Sequence, residues 1–196
     1  MRNVGLLIFD DAEELDFVGP WEVLSYAAKQ TGKDRVLTLA ETVRPIRCAK
    51  GLQVIPDAPI ADAPPLDVIL VPGGQGTRRE AKNEPLLAWL AGVCAQATWV
   101  TSVCTGSLLL HAAGPARGKR VTTHWSYIEP LRARGDITVL ERVRYVRDGN
   151  LVTAAGVSAG IDMALWLVGQ RDGVDVARAV QRGIEYDPAP PYAAEV

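Results

Sequence analysis

The 196-residue sequence is poor in the residues that build metal centres and disulfide frameworks. It contains only three cysteines, Cys48, Cys94 and Cys104, and two histidines. An odd and sparse cysteine count does not fit a disulfide framework, and no Cys-x-x-Cys pair or Cys/His cluster indicates zinc. We therefore expect no metal centre, and the question becomes whether one cysteine is chemically special.

The sequence also lacks a charge excess and long apolar runs. Its 21 basic side chains are balanced by 23 acidic ones, which leaves a net charge of −2. A protein that binds nucleic acid or anionic membrane usually has a strong basic surface, which this balance excludes. No apolar run approaches the ~18–20 residues that span a bilayer. Residues 1–16 turn acidic after a few apolar residues and make a poor signal peptide, so we expect a cytoplasmic protein.

Short apolar runs alternate with helical patterns along the whole chain. The predicted strands are 4–9, 35–40, 67–71, 99–103, 121–123, 139–146 and 151–154, with a hairpin within 44–56. The predicted helices are 18–29, 84–96, 105–113, 126–134, 159–168 and 174–184, and 186–196 is predicted to be an extended, proline-rich tail. This alternation indicates a mainly parallel sheet covered on both faces. We predict a three-layer α/β/α sandwich that forms one domain over residues 1–196.

Cys104 lies where an apolar strand turns sharply into a helix. Ligands of open α/β sheets gather at the carboxyl ends of the strands, and a residue in such a turn is the exposed nucleophile of an elbow. Gly106 lets strand and helix approach closely, and the helix N-terminus is expected to lower the thiol pKa. Cys48 and Cys94 adjoin no such turn, so we expect them to pack in the core.

A reactive thiol needs donors that hold negative charge. Thr105 follows the cysteine, and the N–H of the residue after an elbow nucleophile is the natural donor. Gly73 and Gly74 end the preceding strand and could present further N–H groups, although a plain turn is an equal alternative.

Two side chains are candidates for proton transfer. Asp16 lies among apolar residues in the predicted loop after the first strand, where a carboxyl group would have a raised pKa. It could instead cap the helix predicted to begin near Pro20. His124 follows a short strand and either faces the site or is a structural residue.

Several motifs resemble the ThiJ/PfpI superfamily over nearly the whole chain. They are Leu6-Leu-Ile-Phe9, Leu15-Asp-Phe-Val-Gly-Pro20, Asp67-Val-Ile-Leu-Val-Pro-Gly-Gly74, Thr101-Ser-Val-Cys-Thr-Gly-Ser107, Gly118-Lys-Arg-Val-Thr-Thr-His-Trp125, Gly156-Val-Ser-Ala-Gly-Ile-Asp162 and Glu185-Tyr-Asp-Pro-Ala-Pro-Pro191. The resemblance implies a glutaminase-like, flavodoxin-like sandwich and, commonly in this superfamily, a homodimer.

Within the superfamily the motifs are most similar to those of the isocyanide hydratases. Peptidase-like members have a histidine where this chain has Thr105, and deglycase-like members have a glutamate in place of Asp16. The hydratases have isoleucine at the position of Val157, which the resemblance places with Gly73, Gly74 and His124 around the substrate.

The resemblance therefore implies a lyase that hydrates a small-molecule isocyanide to an N-formamide and needs no cofactor. Cys104 would attack the terminal carbon to give a thioimidate, Asp16 would transfer protons, and Thr105 would hold developing charge. Two alternatives are another cysteine enzyme of the superfamily, such as a glyoxalase, deglycase or amidase, and a thiol redox sensor without enzymatic activity.

Overall fold

The structure is a computed structural model that describes residues 1–188, with strands and helices in alternation. The strands are β1 (Arg2–Leu7), β2 (Asp34–Ala40), β3 (Ile46–Arg47), β4 (Gln53–Val54), β5 (Ala58–Pro59), β6 (Val68–Val71), β7 (Trp99–Val103), β8 (Arg120–Val121), β9 (Thr138–Val139), β10 (Tyr145–Asp148) and β11 (Leu151–Ala154). The helices are α1 (Glu14–Thr31), α2 (Thr77–Glu80), α3 (Glu84–Gln96), α4 (Gly106–Ala113), α5 (Ile128–Arg132), α6 (Ala159–Asp172) and α7 (Val174–Gly183).

Seven strands form the central sheet in the order β10-β11-β7-β6-β1-β2-β5. All neighbours pair in parallel except β10, which runs antiparallel to β11 at one edge. The chain proceeds from β1 to β2 on one side and later returns to β6 on the other. Strand order therefore reverses between β1 and β6, and ligands bind at such a reversal, beyond the carboxyl ends of the strands.

Helices cover the sheet because its strands are apolar on both faces. All four residues of β6 are buried, and α1 packs against α6 and α7 while α3 packs against α4. Fully apolar strands of this kind need cover on both sides. The three-layer α/β/α sandwich predicted from the sequence is confirmed. No helix of the described part of the chain combines the length and apolar character needed to cross a membrane.

Most predicted elements are present, and the differences lie where tertiary contacts override local signals. The helix predicted to begin near Pro20 begins at Glu14, so Pro20 lies inside α1. A proline inside a helix removes one backbone hydrogen-bond donor. The Pro20 ring packs close to Gly160 of α6, and this contact favours proline inside α1 despite the lost donor. Residues 140–144 of the predicted late strand form no strand, and α2 and β5 were not predicted.

Two other predicted segments differ from the structure. The helix predicted over 126–134 is a 3₁₀ turn at Trp125–Tyr127 followed by α5. The predicted extended tail falls partly on residues 189–196, which lie outside the described residues. Tyr186, at the start of that segment, donates a hydrogen bond to Asp162 over 2.9 Å.

Candidate active site

Cys104 occupies the turn between β7 and α4 in a left-handed conformation, with φ of 57°. Its N–H donates to the carbonyl of Ala154 over 3.0 Å. Its own carbonyl accepts the hydroxyls of Ser107 at 3.1 Å and Thr123 at 2.9 Å. A Cβ at Gly106 would lie 2.1 Å from the carbonyl oxygen of Val71, so the helix can approach the sheet only with glycine there. These contacts hold a backbone conformation that is costly for a cysteine, which is the geometry of a nucleophile elbow.

Asp16 lies in the first turn of α1 and is completely buried. The sequence analysis predicted that Asp16 lies in a loop or, alternatively, caps a helix that begins near Pro20. Both predicted positions are wrong, because α1 begins at Glu14, two residues before Asp16. Its Oδ2 accepts the backbone N–H of Gly73 over 2.8 Å. Its Oδ1 is buried without a hydrogen-bond partner among residues 1–188. A carboxyl group with one committed and one free oxygen can exchange a proton with a neighbouring group.

The pKa values of Asp16 and Cys104 are both raised. Burial raises the pKa of Asp16 to about 7, and the charge of Glu13 adds to this effect, while the Gly73 N–H, the Cys104 side chain and the Val157 N–H lower it. Burial also raises the pKa of the Cys104 thiol to about 12, and the Asp16 carboxylate raises it further. The expected net lowering of the thiol pKa is wrong, because burial and the Asp16 carboxylate raise it by more than the backbone N–H of Thr105 at the start of α4 lowers it.

Donors around the sulfur oppose this rise. The backbone and side chain of Thr105 and the backbone N–H of Gly74 lower the pKa of Cys104. The resting pair is therefore a thiol beside a carboxyl group that titrates near neutral pH. Such a carboxylate can accept the thiol proton when the sulfur attacks and can deliver it later.

The Gly73-Gly74 turn brings these groups together. A Cβ at Gly73 would lie 2.5 Å from the Thr105 nitrogen and 2.8 Å from the Cβ of Cys104. The Gly73 N–H donates to Asp16 and so holds the acid in this structure, and a role of Gly73 in binding substrate stays a prediction. Gly74 has φ of 110°, and its N–H donates to Thr105 Oγ1 over 3.0 Å.

Arg78 is a site residue that sequence reasoning missed. Its Nη1 lies 3.0 Å from the Gly74 carbonyl, 3.0 Å from Thr77 Oγ1 and 3.3 Å from Thr105 Oγ1. Its guanidinium carbon lies 4.5 Å from the ring centroid of Tyr127. Arg78 belongs to the four-residue α2, which is too short for a periodic pattern, and only its proximity to the glycine turn could have drawn attention to it.

His124 and Val157 line one cavity of ≈ 710 Å³, whose wall includes Trp125. The Nδ1 of His124 lies 2.8 Å from the hydroxyl of Ser126, and burial lowers the pKa of His124. A Cβ at Gly156 would lie 2.7 Å from the His124 ring, so the histidine packs on the turn that carries Val157. Val157 itself has φ of 43°. The two residues thus lie in one connected wall of this cavity, which Cys104 does not line, and their placement around a substrate stays a prediction.

Cys48 and Cys94 lie in the hydrophobic core, as expected, and Cys104 is buried as well, so the expectation of an exposed nucleophile is wrong. Burial raises the pKa of Cys48 to about 11 and that of Cys94 to about 12. A second cavity of ≈ 770 Å³ is lined by Asp10, Arg44 and Lys82 and also by Arg78. Within residues 1–188, no three His, Cys, Asp or Glu side chains are grouped as metal ligands.

Comparison with known proteins gives consistent findings. Residues 2–170 match the DJ-1/PfpI family. The chain is 45% identical over 190 residues to isonitrile hydratase of Pseudomonas putida, with 97% of this chain and 81% of that protein covered. It is 26% identical over 170 residues to the glutathione-independent glyoxalase DJR-1.2 of Caenorhabditis elegans, covering 86% and 87%. The crystal structure of a ThiJ/PfpI family protein from Pseudomonas syringae superposes with a TM-score of 0.92 at 34% identity, covering 100% of this chain and 79% of the other.

Proposed function

The chain belongs to the DJ-1/PfpI family, and we propose that it is an isonitrile hydratase, a hydro-lyase that converts R–N≡C and water to an N-formamide. The observation that carries the proposal is the elbow thiol of Cys104 beside the buried carboxyl group of Asp16. Similarity to the isonitrile hydratase of Pseudomonas putida supports the substrate class. A thiol is suited to this reaction because the terminal carbon of an isocyanide reacts with soft nucleophiles.

The first half-reaction forms a thioimidate. Cys104 Sγ attacks the terminal carbon while its proton passes to Asp16, and Asp16 delivers that proton to the same carbon. R–N≡C and Cys–SH thus become R–N=CH–S–Cys, with no atom left over. The pKa of about 7 suits Asp16 to both acts, because a group that titrates near the working pH can accept and return a proton.

The second half-reaction releases the formamide. Asp16 takes a proton from water as the water oxygen adds to the thioimidate carbon, and it passes this proton to the nitrogen. The resulting R–NH–CH(OH)–S–Cys loses its hydroxyl proton and expels the sulfur, which recovers a proton through Asp16. The products are R–NH–CHO and the free thiol. The Thr105 and Gly74 donors that lower the thiol pKa stabilise the departing sulfur.

A turnover assay tests this proposal. The purified protein is incubated with an aryl isocyanide, and N-formamide is measured by chromatography. We expect formamide to accumulate over many turnovers per protein molecule, and the Cys104→Ala variant supplies the background rate. Absence of turnover in the unaltered protein would overturn the substrate assignment.

Glyoxalase activity is the second candidate, because a glyoxalase is among the relatives of comparable length. Methylglyoxal in the same assay, with lactate as the product measured, decides between the two. Asp16 in place of the glutamate of deglycase-like members favours the hydratase. A redox sensor is less well supported, because oxidation follows thiolate character and the thiol pKa of Cys104 is raised.

We further propose that the protein acts as a homodimer in the cytoplasm. Trp21 on α1 is 40% exposed and Trp125 beside the site is 76% exposed, which makes both available for contact with a second copy. Light scattering coupled to gel filtration tests this proposal. A mass near 42 kDa, twice the 21.1 kDa of the chain, is the expected result, and a monomer would contradict it.

A further inference from the structure

The cavity of ≈ 770 Å³ at the carboxyl ends of β1 and β2 is not used by the proposed hydration. Its wall contains the residues that directly follow those two strands, the exposed Arg44, and a segment from α2 to the start of α3. Cys104 and Asp16 do not line this β1–β2 cavity, although Arg78 does. Pockets of this volume hold small organic molecules, and open α/β sheets bind their ligands beyond the carboxyl ends of the strands.

Charged side chains of both signs line the β1–β2 cavity, and most of them already have a partner within the protein. The pairs are Asp10 with Arg44 at 2.5 Å, Glu80 with Arg79 at 2.8 Å, and Glu41 with the side-chain amide of Asn83 at 2.9 Å. Arg78 and Lys82 also line the cavity and form no ion pair with residues 1–188. The wall therefore has two unpaired cations against the carboxylate of Glu41, whose partner is neutral. This excess of positive charge favours an anionic ligand.

The guanidinium of Arg78 is held in position but only partly used by the protein. Its Nη1 donates to the Gly74 carbonyl over 3.0 Å, and its central carbon lies 4.5 Å from the ring centroid of Tyr127. Its Nη2 and Nε form no hydrogen bond with residues 1–188. A guanidinium binds a carboxylate through two parallel N–H groups. Because the side chain is half-buried and already held, little further ordering is needed to bind one.

Lys82 adds a second positive charge to the same wall. It follows Arg78 by four residues, and the backbone between them is helical, since the N–H of Ala81 donates to the carbonyl of Thr77 over 2.9 Å. Residues four apart in a helical turn are neighbours on its surface. Both side chains line the β1–β2 cavity, so their charges act on the same ligand.

Buried apolar side chains form another part of the wall. Ile8 and Leu86 are each 1% exposed and Phe9 is 6% exposed, and all three line the cavity. An apolar group placed against them loses contact with water, which favours binding in proportion to the area covered. A ligand that matches this wall therefore has an apolar body as well as a negative charge.

We propose that the β1–β2 cavity is a binding site for a small organic carboxylate with an apolar body, whose charge is held by Arg78 and Lys82. The body lies against Ile8, Phe9 and Leu86. A neutral analogue lacks the contact with the two cations, and an inorganic anion lacks the contact with the apolar wall. The site is distinct from the elbow of Cys104 and does not depend on the proposed function.

Titration of the isotope-labelled protein with benzoate, followed by amide NMR, tests the proposal without any isocyanide. We expect saturable shifts in residues 41–44 and 78–83, with a Kd of about 1 mM or lower. Benzamide keeps the ring without the charge, benzylammonium carries the opposite charge, and inorganic phosphate has no apolar body. Each of these should bind at least about fivefold more weakly than benzoate. A smaller difference for any of them, or no saturable shift with benzoate, would overturn the proposal.

Variants of the two cations test how the carboxylate is held. Lys82→Met and Arg78→Met should each weaken benzoate binding at least about fivefold, because each removes one of the two unpaired charges. Lys29→Met is the matched control, because it removes an exposed lysine of α1 that does not line the cavity, and it should leave the Kd within about twofold. Unchanged binding in either folded variant, or an equal loss in Lys29→Met, would overturn the proposal. Should thermal unfolding show that Arg78→Met is not folded, Lys82→Met decides alone.

Cys104→Ala tests whether benzoate binds in the β1–β2 cavity or at the elbow. The variant should keep the Kd for benzoate within about twofold, because Cys104 does not line the cavity. Loss of binding in this variant, or shifts confined to residues 104–107 and 154–157, would place the carboxylate at the elbow and overturn the proposal. Because no step of this experiment needs hydratase activity, failure of the proposed function would leave the binding result intact.

Discussion

The backbone N–H of Gly73 donates a hydrogen bond to the carboxyl group of Asp16 over 2.8 Å. This contact joins the turn after β6 to the first turn of α1, on either side of the point where strand order reverses. It holds Asp16 beside Cys104. The Gly73 N–H is a single neutral donor, so it cancels only part of the rise that burial causes in the pKa of Asp16. The acid therefore keeps a pKa near neutrality.

Gly73→Ala should abolish most activity because there is no room for a methyl group. The added Cβ would lie 2.5 Å from the Thr105 nitrogen and 2.8 Å from the Cβ of Cys104, so the elbow or the turn must move. We expect at least about a hundredfold loss of kcat/KM, measured by formamide production, since small displacements at reacting groups cost this much. Gly92→Ala is the control, because a Cβ there meets nothing within 4 Å and should preserve activity. Full activity in Gly73→Ala would show that the turn does not set the site.

Asp16→Asn should remove proton transfer and keep the thiol. We expect turnover to fall about 10²–10⁴-fold, the usual contribution of a general acid–base group. In the unaltered protein, kcat/KM should rise with pH through a midpoint near 7, as Asp16 loses its proton. A pH–rate profile with iodoacetamide labelling of both proteins checks this expectation. An unaltered protein whose kcat/KM showed no inflection between pH 6 and 8 would argue against Asp16 as the base.

The same substitution should change how stability depends on pH. The folded pKa of Asp16 is raised from 3.8 to about 7, so between these values the folded protein binds more protons than the unfolded chain. Its free energy of unfolding therefore falls as pH rises through this window, in total by an amount on the order of a few kcal/mol. Asp16→Asn has no such proton to lose, so the variant should gain stability relative to the parent from pH 5 to pH 8. Urea unfolding at several pH values checks this, and parallel pH profiles for the two proteins would contradict it.

An ion-pair network at the amino ends of strands β1 and β2 should matter for stability alone. Asp172 is 1% exposed and binds Arg2 over 2.8 Å and Lys33 over 3.3 Å. Asp172→Asn leaves Arg2 with a weaker partner, so we expect a loss of about 1–3 kcal/mol in unfolding free energy with unchanged kcat/KM. The same change at Asp175, whose side chain is 99% exposed, should cost little. A fall in kcat/KM in Asp172→Asn with no change in stability would contradict this separation.

Local signals were enough to predict most strands of the central sheet and the position of the elbow. The apolar runs ended by glycine or by a cysteine turn marked β6 and β7, and the prediction of α3 coincides with its observed bounds. The start of α1 was missed because Pro20 was interpreted as a first-turn residue, whereas packing against α6 holds it inside the helix. The thiol pKa was misjudged for a related reason. The helix dipole can be inferred from local sequence, but the burial of Cys104 and its approach to Asp16 depend on distant segments.

Arg78 shows the same limit in the active site. Its partners are the Gly74 carbonyl, Thr77 and Thr105, of which two are sequence neighbours and one follows β7. Four residues of helix give no periodic pattern from which the direction of a side chain could be predicted. The resemblance to the superfamily implied the residues proposed for the reaction, and the structure added Arg78 as a neighbour of Thr105.

A covalent thioimidate on Cys104 is the decisive intermediate of the proposed mechanism. The protein is mixed with excess aryl isocyanide, quenched in acid within milliseconds to seconds and analysed by mass spectrometry. We expect the Cys104 peptide to gain the full mass of the isocyanide, because the addition expels no atom, and the gain to disappear as formamide forms. Full turnover in Cys104→Ala, or an adduct on Cys48 or Cys94 in place of Cys104, would contradict the mechanism.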